Sequence, residues 1–356
     1  MIKLLHAADL HLDSAFSSLS ADLAAQRRSE QRLALEQLSK LCQDCDIVLL
    51  SGDLFDSAYV YRDTLDALTA CFASVSAQIF ISPGNHDYLQ SGCAYLTERW
   101  SENVHIFTKP TIECVHLAHL NCDVYGAGFT AKEQAPLLTN FHVNNESTIN
   151  LMVLHGDMQL QSSYNPITPA QIAASGLDYL ALGHVHTRSV ETVSTTTYAY
   201  PGCMMGRGFD ECGQKGVLRA EVCKGCARVE FLPIKSRKYE VLTIDVQENV
   251  LPSIFAQLPN DCADDCYRLV LTGESDPLNI DALQKILASR FFSLNIQDKT
   301  LPKQELWQAI FEDTLRGHFL RELKAKFDTA EEEEQQNIAQ AASLVLALMD
   351  GREVQL

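Results

Sequence analysis

Short apolar segments recur along the first half of this sequence, and each one stops at a polar or glycine-containing cluster. Their lengths suit buried strands, because helices in folded domains usually run to ten residues or more. The strand-like segments are residues 2–8, 46–51, 78–81, 149–154 and 179–182. Helical patterns separate the first three, over residues 21–45 and 60–76, and the earlier pattern places leucines on one predicted helix: Leu23, Leu33, Leu35, Leu38 and Leu41. This alternation predicts βαβ units and a mostly parallel sheet.

Further along, the pattern changes to shorter strands and turns. Strands separated by turns are expected over residues 103–126 and 189–235, and a short helix is expected over 168–175. Together with the earlier segments they predict an α/β fold, a two-layered β-sandwich flanked by helices, over residues 1–237.

The chain is too long for one compact core, because it has 356 residues and domains usually hold about 100–200. A boundary is expected near residues 236–240, and residues 238–300 are predicted to form a small α+β domain. Residues 301–356 are predicted to form a C-terminal helical segment whose last helix stops at Asp350-Gly351. One face of this segment is expected to carry Leu306, Ile310, Leu315, Phe319 and Leu323.

Five of the predicted strands are followed by side chains that bind metal ions well. The clusters are Asp9-Leu10-His11, Gly52-Asp53, Gly84-Asn85-His86-Asp87, His155-Gly156 and Gly183-His184-Val185-His186. Ligand sites in open α/β sheets form outside the carboxyl ends of the strands, so these clusters are expected to converge. Aspartate and neutral histidine suit Mn²⁺, Fe²⁺ or Zn²⁺ better than Ca²⁺. One carboxylate can bridge two ions ~3.5–4 Å apart, so the donors fit a two-metal site.

Other histidines and the cysteines are expected to have ordinary structural roles. The expected hydrogen-bonded core histidines are His6, His105, His116 and His119, and the expected surface histidines are His142 and His318. The apolar start of the chain is too short for a secretory signal, and no run reaches the ~18 apolar residues of a membrane span. The protein is therefore expected to be cytoplasmic, without a membrane partner and with twelve reduced cysteines. Lys224-Gly225, between Cys223 and Cys226, is predicted to be a hairpin turn.

The formal net charge of −18 disfavours unaided binding to duplex DNA, since that binding depends on neutralising phosphates. One stretch departs from this balance, with eight basic and four acidic residues between Arg207 and Lys238. The stretch could face a polyanion, with Arg207 as a candidate substrate contact, or could be a solvated hairpin surface.

In their order along the chain, the strand-end motifs resemble those of a known enzyme family. DxH, GDxxD, GNHD, an isolated histidine after a strand and GHxH together resemble the calcineurin-like metallophosphoesterases. Further segments resemble the SbcD-like DNA repair exonucleases, especially their YhaO-type bacterial branch: Asp9 to Ser14, Gly52 to Asp56, Tyr125-Gly126, Tyr200-Pro201-Gly202, Phe209-Asp210-Glu211 and Lys215-Gly216. The resemblance is strong up to residue 235, and the small domain after it resembles the family's capping domain in size and pattern only.

The resemblance implies two metal positions that share Asp53. One position would use Asp9, His11, Asp53 and His186, and the other would use Asp53, Asn85, His155 and His184. His86 would lie over the leaving group and protonate it. Asp87 would stabilise a turn or orient a histidine. Many SbcD-like nucleases have a histidine that helps to place the DNA phosphate where this sequence has Asp56, which would instead cap the next helix.

The resulting hypothesis is metal-assisted hydrolysis of a phosphodiester by two divalent ions, with Mn²⁺ as the expected ion. The first substrate hypothesis is DNA, cut by an exonuclease and endonuclease that acts in DNA repair with an SbcC-like coiled-coil ATPase docked on the C-terminal helices. A homodimer is left open. The alternative is a phosphodiesterase or phosphatase for a small nucleotide or a phosphoprotein, for which the negative charge is no handicap. A binding module that has lost catalysis is disfavoured, because the ligand set is complete.

Overall fold

The computed structural model of the protein describes residues 1–247, 249–276, 278–302 and 304–349. The chain divides into two compact units, Met1–Lys238 and Tyr239–Leu356, here named the sandwich unit and the C-terminal unit. Among the described residues, no helix combines the length and the apolar character that crossing a membrane requires.

Twelve strands and four α-helices form the sandwich unit. In chain order, the strands β1 to β12 are Ile2–Ala7, Ile47–Leu50, Gln78–Ile81, Val104–Ile106, Glu113–Leu117, Cys122–Gly126, Ile149–His155, Tyr179–Gly183, Ser189–Val193, Thr196–Tyr200, Gly216–Cys223 and Cys226–Pro233. The helices α1 to α4 are Ala21–Cys42, Arg62–Ala73, Ala94–Thr97 and Pro169–Ser175. A short 3-10 turn covers Ala118–Leu120.

The strands form two mixed sheets of six strands each. The first sheet has the order β12-β11-β1-β2-β3-β4, in which β1 to β4 are parallel and β11 is antiparallel to β1. The second has the order β5-β6-β7-β8-β10-β9, in which β6, β7, β8 and β10 are parallel. Parallel neighbours end at the same edge of a sheet, so the segments that follow β1, β2 and β3 start side by side, as do those that follow β7 and β8.

Apolar side chains fill the space between the sheets and cover both outer faces. Leu49 of the first sheet and Leu151 of the second belong to the core between the sheets. On the outer face of the first sheet, Leu38 of α1 and Phe72 of α2 belong to a second core. On the outer face of the second sheet, Ile172 of α4 belongs to a third core. This arrangement confirms the predicted α/β sandwich of two layers flanked by helices.

Helix α1 presents one face to the first sheet. It begins after Ser20, whose side chain accepts a hydrogen bond from the Leu23 backbone N–H and so satisfies a donor that a helix start leaves unpaired. Leu35 and Leu38 lie on its buried face, as predicted, but Leu33 is 56% exposed. Successive residues turn by about 100° around the helix, which places Leu33 on the side opposite Leu35.

The histidines outside the strand-end clusters are buried or exposed according to their position in the sheets. His6 on the central strand β1 is fully buried, and its ring contacts Ser51 Oγ at 2.9 Å and Tyr179 Oη at 3.1 Å, which confirms the prediction of a satisfied core residue. The prediction is wrong for three others, which are exposed: His105, His116 and His119. They lie on the edge strands β4 and β5 or in the turn after β5, where a strand leaves one side open to solvent. His142 and His318 are exposed, as predicted.

The basic stretch after Arg207 contributes the hairpin of β11 and β12. Its predicted turn at Lys224-Gly225 is confirmed, because β11 ends at Cys223 and β12 begins at Cys226. Basic and acidic residues face each other across the hairpin in the pairs Arg219–Glu230 and Glu221–Arg228. These pairings favour the interpretation as a solvated hairpin surface, because opposite charges neutralise each other across the strands.

The C-terminal unit begins with a small parallel sheet. Its strands β13 to β17 are Tyr239–Asp245, Cys266–Thr272, Glu274–Ser275, Ser293–Asp298 and Leu301–Pro302. Its helices α5 to α8 are Val250–Gln257, Ile280–Leu287, Leu315–Phe327 and Glu332–Met349, and 3-10 segments cover Ala288–Arg290 and Gln304–Phe311. Strands β13, β14 and β16 pair in parallel, and β15 pairs with β17. The division of this unit into residues 238–300 and 301–356 stays a prediction.

The helical pattern near the C-terminus is interrupted between the 3-10 segment and α7. Thr314 starts α7 by accepting a hydrogen bond from the Gly317 backbone N–H at 3.1 Å. Four predicted apolar positions pack together there: Leu306, Ile310, Phe319 and Leu323. Leu315 does not, and its side chain is 78% exposed, because it opens a new helix and does not continue the earlier face. The predicted end of the last helix at Asp350-Gly351 lies outside the described residues.

Candidate metal centre

The carboxyl ends of five strands bring the predicted metal donors together. Three overlapping groups have donor atoms within 4.8 Å of one another: Asp9 with His11 and His186, His11 with Asp53 and His86, and Asp9 with Asp53 and His155. Asn85 and His184 join them, because Asn85 Oδ1 lies 2.8 Å from His155 Nε2 and 3.1 Å from His184 Nδ1. All seven predicted donors therefore lie in one cluster that both sheets contribute to.

The backbone of the donor loops adopts an uncommon conformation. Asp9, His11 and Asp53 have φ values of 51°, 42° and 51°, in the left-handed region that few residues other than glycine adopt. Hydrogen bonds between the loops hold them there, from Asp9 N–H to Gly52 O at 3.1 Å and from His11 N–H to Asp53 O at 2.9 Å. Strain of this kind persists where the surrounding structure fixes it, and it is concentrated at functional sites.

Two glycines allow the donor loops to approach one another closely. Gly52 has a φ of 86°, and a Cβ atom there would lie 2.6 Å from His155 Nδ1. A Cβ atom on Gly84 would lie 2.3 Å from Asp53 Oδ1. Any larger residue would therefore displace a predicted donor, which explains why the motifs GD and GN begin with glycine.

The Asp53 carboxylate lies in the middle of the cluster. Its Oδ2 atom is 3.7 Å from His11 Nε2 and 3.5 Å from His155 Nε2, so it faces both halves of the donor set. Its Oδ1 atom accepts a hydrogen bond from the His86 backbone N–H at 2.9 Å. The side chain is nearly inaccessible to solvent. This is the placement that a carboxylate shared by two cations requires.

In the first half of the donor set, two carboxylates fix the protonation of the histidine rings. His11 Nδ1 lies 3.0 Å from Asp56 Oδ1, and His186 Nδ1 lies 2.8 Å from Glu211 Oε1. A carboxylate accepts hydrogen bonds, so each Nδ1 carries a proton, and in the neutral ring Nε2 has a lone pair. The two Nε2 atoms are only 3.3 Å apart. Two lone pairs that face each other repel, and a shared cation relieves this repulsion, so these residues fit a metal ion.

In the second half of the donor set, a histidine lone pair likewise faces another donor atom. His155 Nδ1 lies 2.9 Å from the Ser51 carbonyl oxygen, to which it donates, so its Nε2 lone pair faces Asn85 Oδ1. Asp157 Oδ2 lies 3.6 Å from His184 Nε2 on the far side of that ring. Histidine nitrogens and amide and carboxylate oxygens form the mixed donor set that Mn²⁺, Fe²⁺ or Zn²⁺ accepts.

The electrostatics of the buried donors also suit cations. Burial and the neighbouring Asp53 carboxylate raise the pKa of Asp9 well above its usual range. Although burial opposes it, the rings of His155 and His11 lower the pKa of Asp53. Burial lowers the pKa of His11 to about 4 and that of His184 to about 4. Both rings are therefore neutral at pH 7, which metal coordination by histidine requires.

His86 differs from the other histidines of the site because its side chain is exposed. Its Nδ1 atom lies 3.1 Å from the Asp56 carbonyl oxygen and donates to it, which leaves Nε2 as the second proton-binding atom. The ring lies 4.8 Å from that of His11, measured between ring centroids. The sequence predicts that His86 lies beside the metal ions without binding them, and its exposed position next to the His11 ring is compatible with this prediction.

Asp87 stabilises the turn that contains it, as predicted, whereas Asp56 has a different contact from the predicted one. Asp87 binds backbone, since its carboxylate accepts from the N–H groups of Leu54 and Gly84, each at 2.7 Å, and thereby joins two donor loops. The interpretation of Asp56 as a helix cap is wrong, because Tyr61 occupies the N-cap position of α2. Asp56 instead orients His11, and hydrogen bonding to that ring lowers the pKa of Asp56 although burial opposes it.

The guanidinium group of Arg207, the candidate substrate contact, is held by two carboxylates. Nη1 lies 3.0 Å from Asp56 Oδ1, and Nη2 lies 2.6 Å from Glu211 Oε1. Although burial opposes it, hydrogen bonds from His186 and Arg207 lower the pKa of Glu211 well below its usual range. Arg207 therefore connects the two acids that orient His11 and His186, and its contact with substrate stays a prediction.

Sequence reasoning gives no role to Glu211, Asp157 or Tyr164. Glu211 belongs to a segment that resembles the SbcD-like enzymes, but nothing in its neighbourhood along the chain indicates its contact with His186. Asp157 and Tyr164 lie in the loop after β7, where no periodic pattern predicts structure, and the Tyr164 ring is 4.8 Å from that of His184. The motif that contains Glu211 is the one signal that directs attention to any of them.

The fold brings aspartate, asparagine and histidine side chains from strand ends together in one candidate metal centre. The family model for calcineurin-like phosphoesterases matches residues 2–188, more than half of the chain. The protein belongs to the calcineurin-like phosphoesterase family. The buried aspartate and histidine clusters are consistent with a dinuclear metal site.

Two known proteins are similar to parts of this chain. The chain is 28% identical over 308 residues to the uncharacterized metallophosphoesterase YhaO of Bacillus subtilis (strain 168), a match that covers 78% of this chain and 73% of that protein. A crystal structure of a conserved uncharacterized protein, a predicted phosphoesterase from Streptococcus pneumoniae TIGR4, is 12% identical with a TM-score of 0.31. That match covers 65% of this chain and 98% of the other.

Proposed function

We propose that the protein hydrolyses phosphodiester bonds of DNA, as an exonuclease and endonuclease of the SbcD-like type that acts in DNA repair. The observation that carries the hydrolytic part of the proposal is the Asp53 carboxylate, which faces His11 and His155 with one oxygen. The DNA part is supported by segments outside the donor set that resemble SbcD-like nucleases, among them Tyr125-Gly126 and Tyr200-Pro201-Gly202.

Two divalent ions, with Mn²⁺ as the proposed ion, would be held by Asp9, His11, Asp53 and His186 on one side and by Asp53, Asn85, His155 and His184 on the other. When bound, they supply an activated water and neutralise charge on the phosphate oxygens. The chain itself fixes the donors: Asp56 and Glu211 hold the imidazoles of His11 and His186 in one orientation. These side chains need no rearrangement during the reaction, which is the advantage of a pre-organised site.

His86 is the proposed general acid. Its Nδ1 proton is donated to the Asp56 carbonyl oxygen, so the ring orientation is fixed and Nε2 is the atom that can carry a transferable proton. The ring is exposed, unlike those of His11 and His155. A protonated Nε2 can transfer its proton to the departing oxygen of the substrate, which removes the charge that develops there.

The negative net charge of the chain is the reason that the proposal includes an ATPase partner. A net charge of −18 opposes contact with DNA, and the basic hairpin pairs Arg219 with Glu230. A coiled-coil ATPase would supply a surface that binds DNA. Exposed apolar side chains in the C-terminal unit support docking there, since Phe311 is 87% exposed and Leu315 is 78% exposed.

The same negative charge favours a second candidate function. A phosphodiesterase or phosphatase for a small nucleotide or a phosphoprotein needs the same metal centre and has no need for an extended basic surface. The two candidates differ in the substrate that they require and not in the chemistry at phosphorus.

Nuclease assays distinguish the two candidates. The purified protein is incubated with Mn²⁺, Mg²⁺ or EDTA on end-labelled duplex DNA, single-stranded DNA and bis-p-nitrophenyl phosphate, with and without a co-purified ATPase partner. We expect release of nucleotides from duplex ends with Mn²⁺ and none with EDTA. Cleavage of bis-p-nitrophenyl phosphate without any cleavage of DNA, with the partner present, would favour the small-substrate function. Asp53→Asn should abolish both reactions, and His105→Ala, at an exposed histidine outside the centre, serves as the matched control.

A further inference from the structure

Two cysteines face each other at the tip of the β11–β12 hairpin. Cys223 ends β11 and Cys226 begins β12, and the two are direct partners across the antiparallel pair. Both thiols are free and exposed. Desolvation, followed by the charge of the Cys226 thiol and a hydrogen bond with it, raises the pKa of Cys223.

The strand pairing places the Cα atoms of the two cysteines at a separation that a disulfide can span. Directly opposed residues in an antiparallel pair have Cα atoms ~4.5–5.5 Å apart. A disulfide accepts Cα separations of ~4.4–6.8 Å, so the strand pairing already supplies the distance that the bond needs. A two-residue turn, Lys224-Gly225, connects the cysteines.

The turn itself is held by a buried acid from the second sheet. Asp178, whose side chain is 2% exposed, accepts hydrogen bonds from the Gly225 backbone N–H at 2.6 Å and from Lys224 Nζ at 3.2 Å. Gly225 adopts a φ of 69° there. These contacts keep the tip of the hairpin in one conformation, so the thiols stay opposite each other in the reduced protein.

Exposure together with a facing thiol distinguishes this pair from the cysteines of the helices and of β5. Cys42, Cys45 and Cys71 are buried, which keeps soluble oxidants away from them. Cys114 is exposed on β5, but its direct partner across the strands is Tyr125, so it has no thiol opposite it. Cys114 is therefore a matched control, with exposure but without a facing thiol.

We propose that Cys223 and Cys226 form a dithiol site for exchange with low-molecular-weight disulfides such as glutathione disulfide. The thiolate of one cysteine attacks a sulfur of glutathione disulfide, which forms a mixed disulfide and releases one glutathione thiolate. The second cysteine thiolate attacks the protein-bound sulfur of the mixed disulfide, forms the Cys223–Cys226 bond and releases the second glutathione. Two electrons pass from the dithiol to the oxidant, and the two cysteine protons end on two glutathione molecules.

The site is remote from the candidate metal centre. Val222 pairs with Ile2 at the amino end of β1, whereas Asp9 and His11 follow its carboxyl end. Oxidation of the hairpin should therefore leave the binding of metal ions unchanged. The inference does not depend on the proposed function, and either can fail without the other.

Peptide mass spectrometry of the full chain tests the inference. The reduced protein is incubated with glutathione disulfide, remaining thiols are trapped with N-ethylmaleimide, and hairpin peptides are compared with the Cys114 peptide. We expect the hairpin peptide to lose two hydrogens, to carry no trapping reagent and to recover both thiols with dithiothreitol. In Cys226→Ser no second thiol can displace glutathione from Cys223. The glutathione adduct on Cys223 should therefore rise at least about tenfold over the wild type. Cys114→Ser should oxidise at the hairpin as the wild type does.

Two results would overturn the inference. One is a wild-type hairpin whose two cysteines still react with N-ethylmaleimide after an incubation in which glutathione disulfide has modified Cys114. The other is stable glutathione adducts on Cys223 or Cys226 of the wild type at the level found in Cys226→Ser. Circular dichroism of each variant, recorded in the reduced state, establishes that its fold is retained.

Discussion

Replacing Glu211 by glutamine should weaken the binding of one divalent ion and leave the other nearly unchanged. Glu211 Oε1 lies 2.8 Å from His186 Nδ1 and 2.6 Å from Arg207 Nη2, and Oε2 accepts the Arg207 backbone N–H at 2.8 Å. Glutamine has nearly the same shape but only one acceptor oxygen and no charge. It cannot accept all three hydrogen bonds, so the orientation of His186 is no longer fixed.

The expected magnitude follows from the position of Glu211 behind a single donor. Loss of a group that orients a metal-binding histidine typically weakens metal binding ~10–100-fold, which corresponds to about 1.4–2.8 kcal/mol. The loss should be confined to the position that His186 serves. The other position depends on Asn85, His155 and His184, and the His155 ring is oriented by the Ser51 carbonyl oxygen at 2.9 Å, a contact that the substitution leaves in place.

Calorimetric titration of metal-free protein with Mn²⁺ measures both affinities. The wild type should show two binding steps, and Glu211→Gln should show one of them at wild-type affinity and one weakened. Glu230→Gln makes the same charge change on the exposed side of β12 and should behave as the wild type. A Glu211→Gln titration that superimposes on that of the wild type would refute the argument. Equal weakening of both steps in a protein with an unchanged circular dichroism spectrum would also contradict it.

Two further outcomes can be measured with single variants. His86→Ala should still bind two Mn²⁺ ions but lose about 10²–10⁴-fold in kcat, because the general acid is removed; full turnover of bis-p-nitrophenyl phosphate would exclude that role. Burial lowers the pKa of His6 to about 3, below ~6.5 in the unfolded chain, so the unfolded state binds more protons and stability falls as the pH decreases from 6.5 toward 3. Urea unfolding at pH 7 and pH 5 should show about 2 kcal/mol more loss in the wild type than in His6→Gln, and equal losses would contradict this assignment.

The convergence of the predicted donors follows from the sequence because strand ends have a strong signature there. Asp9, Asp53 and His155 each follow or end a short apolar run that can only be a buried strand. Once the strands are parallel, topology brings their ends to one edge, and no knowledge of side-chain conformation is needed. The glycines of the motifs add to the signal, because Gly52 and Gly84 leave space that any side chain would fill.

Contacts between distant loops and the choice of helix face were not predictable in the same way. Glu211 and Asp56 reach donor histidines through contacts that have no fixed spacing along the chain. The exposure of Leu33 does not follow from the pattern, because helical spacing of leucines over a long helix does not separate its two sides. The sequence predicts His105 and His116 as core residues because an edge strand resembles a central strand until its pairing is known.

Both layers of the sandwich unit contribute donors to the candidate metal centre. Asp9, His11 and Asp53 follow strands of the first sheet, whereas His155 ends β7 and His184 follows β8 of the second. A cation coordinated there would join the two layers, and a ligand that binds only the folded state stabilises it by about 2.7 kcal/mol at a free concentration of 100 times its Kd. Scarcity of divalent ions in the cell would then lower resistance to unfolding and proteolysis together with hydrolytic activity, so the amount of folded protein would depend on metal supply.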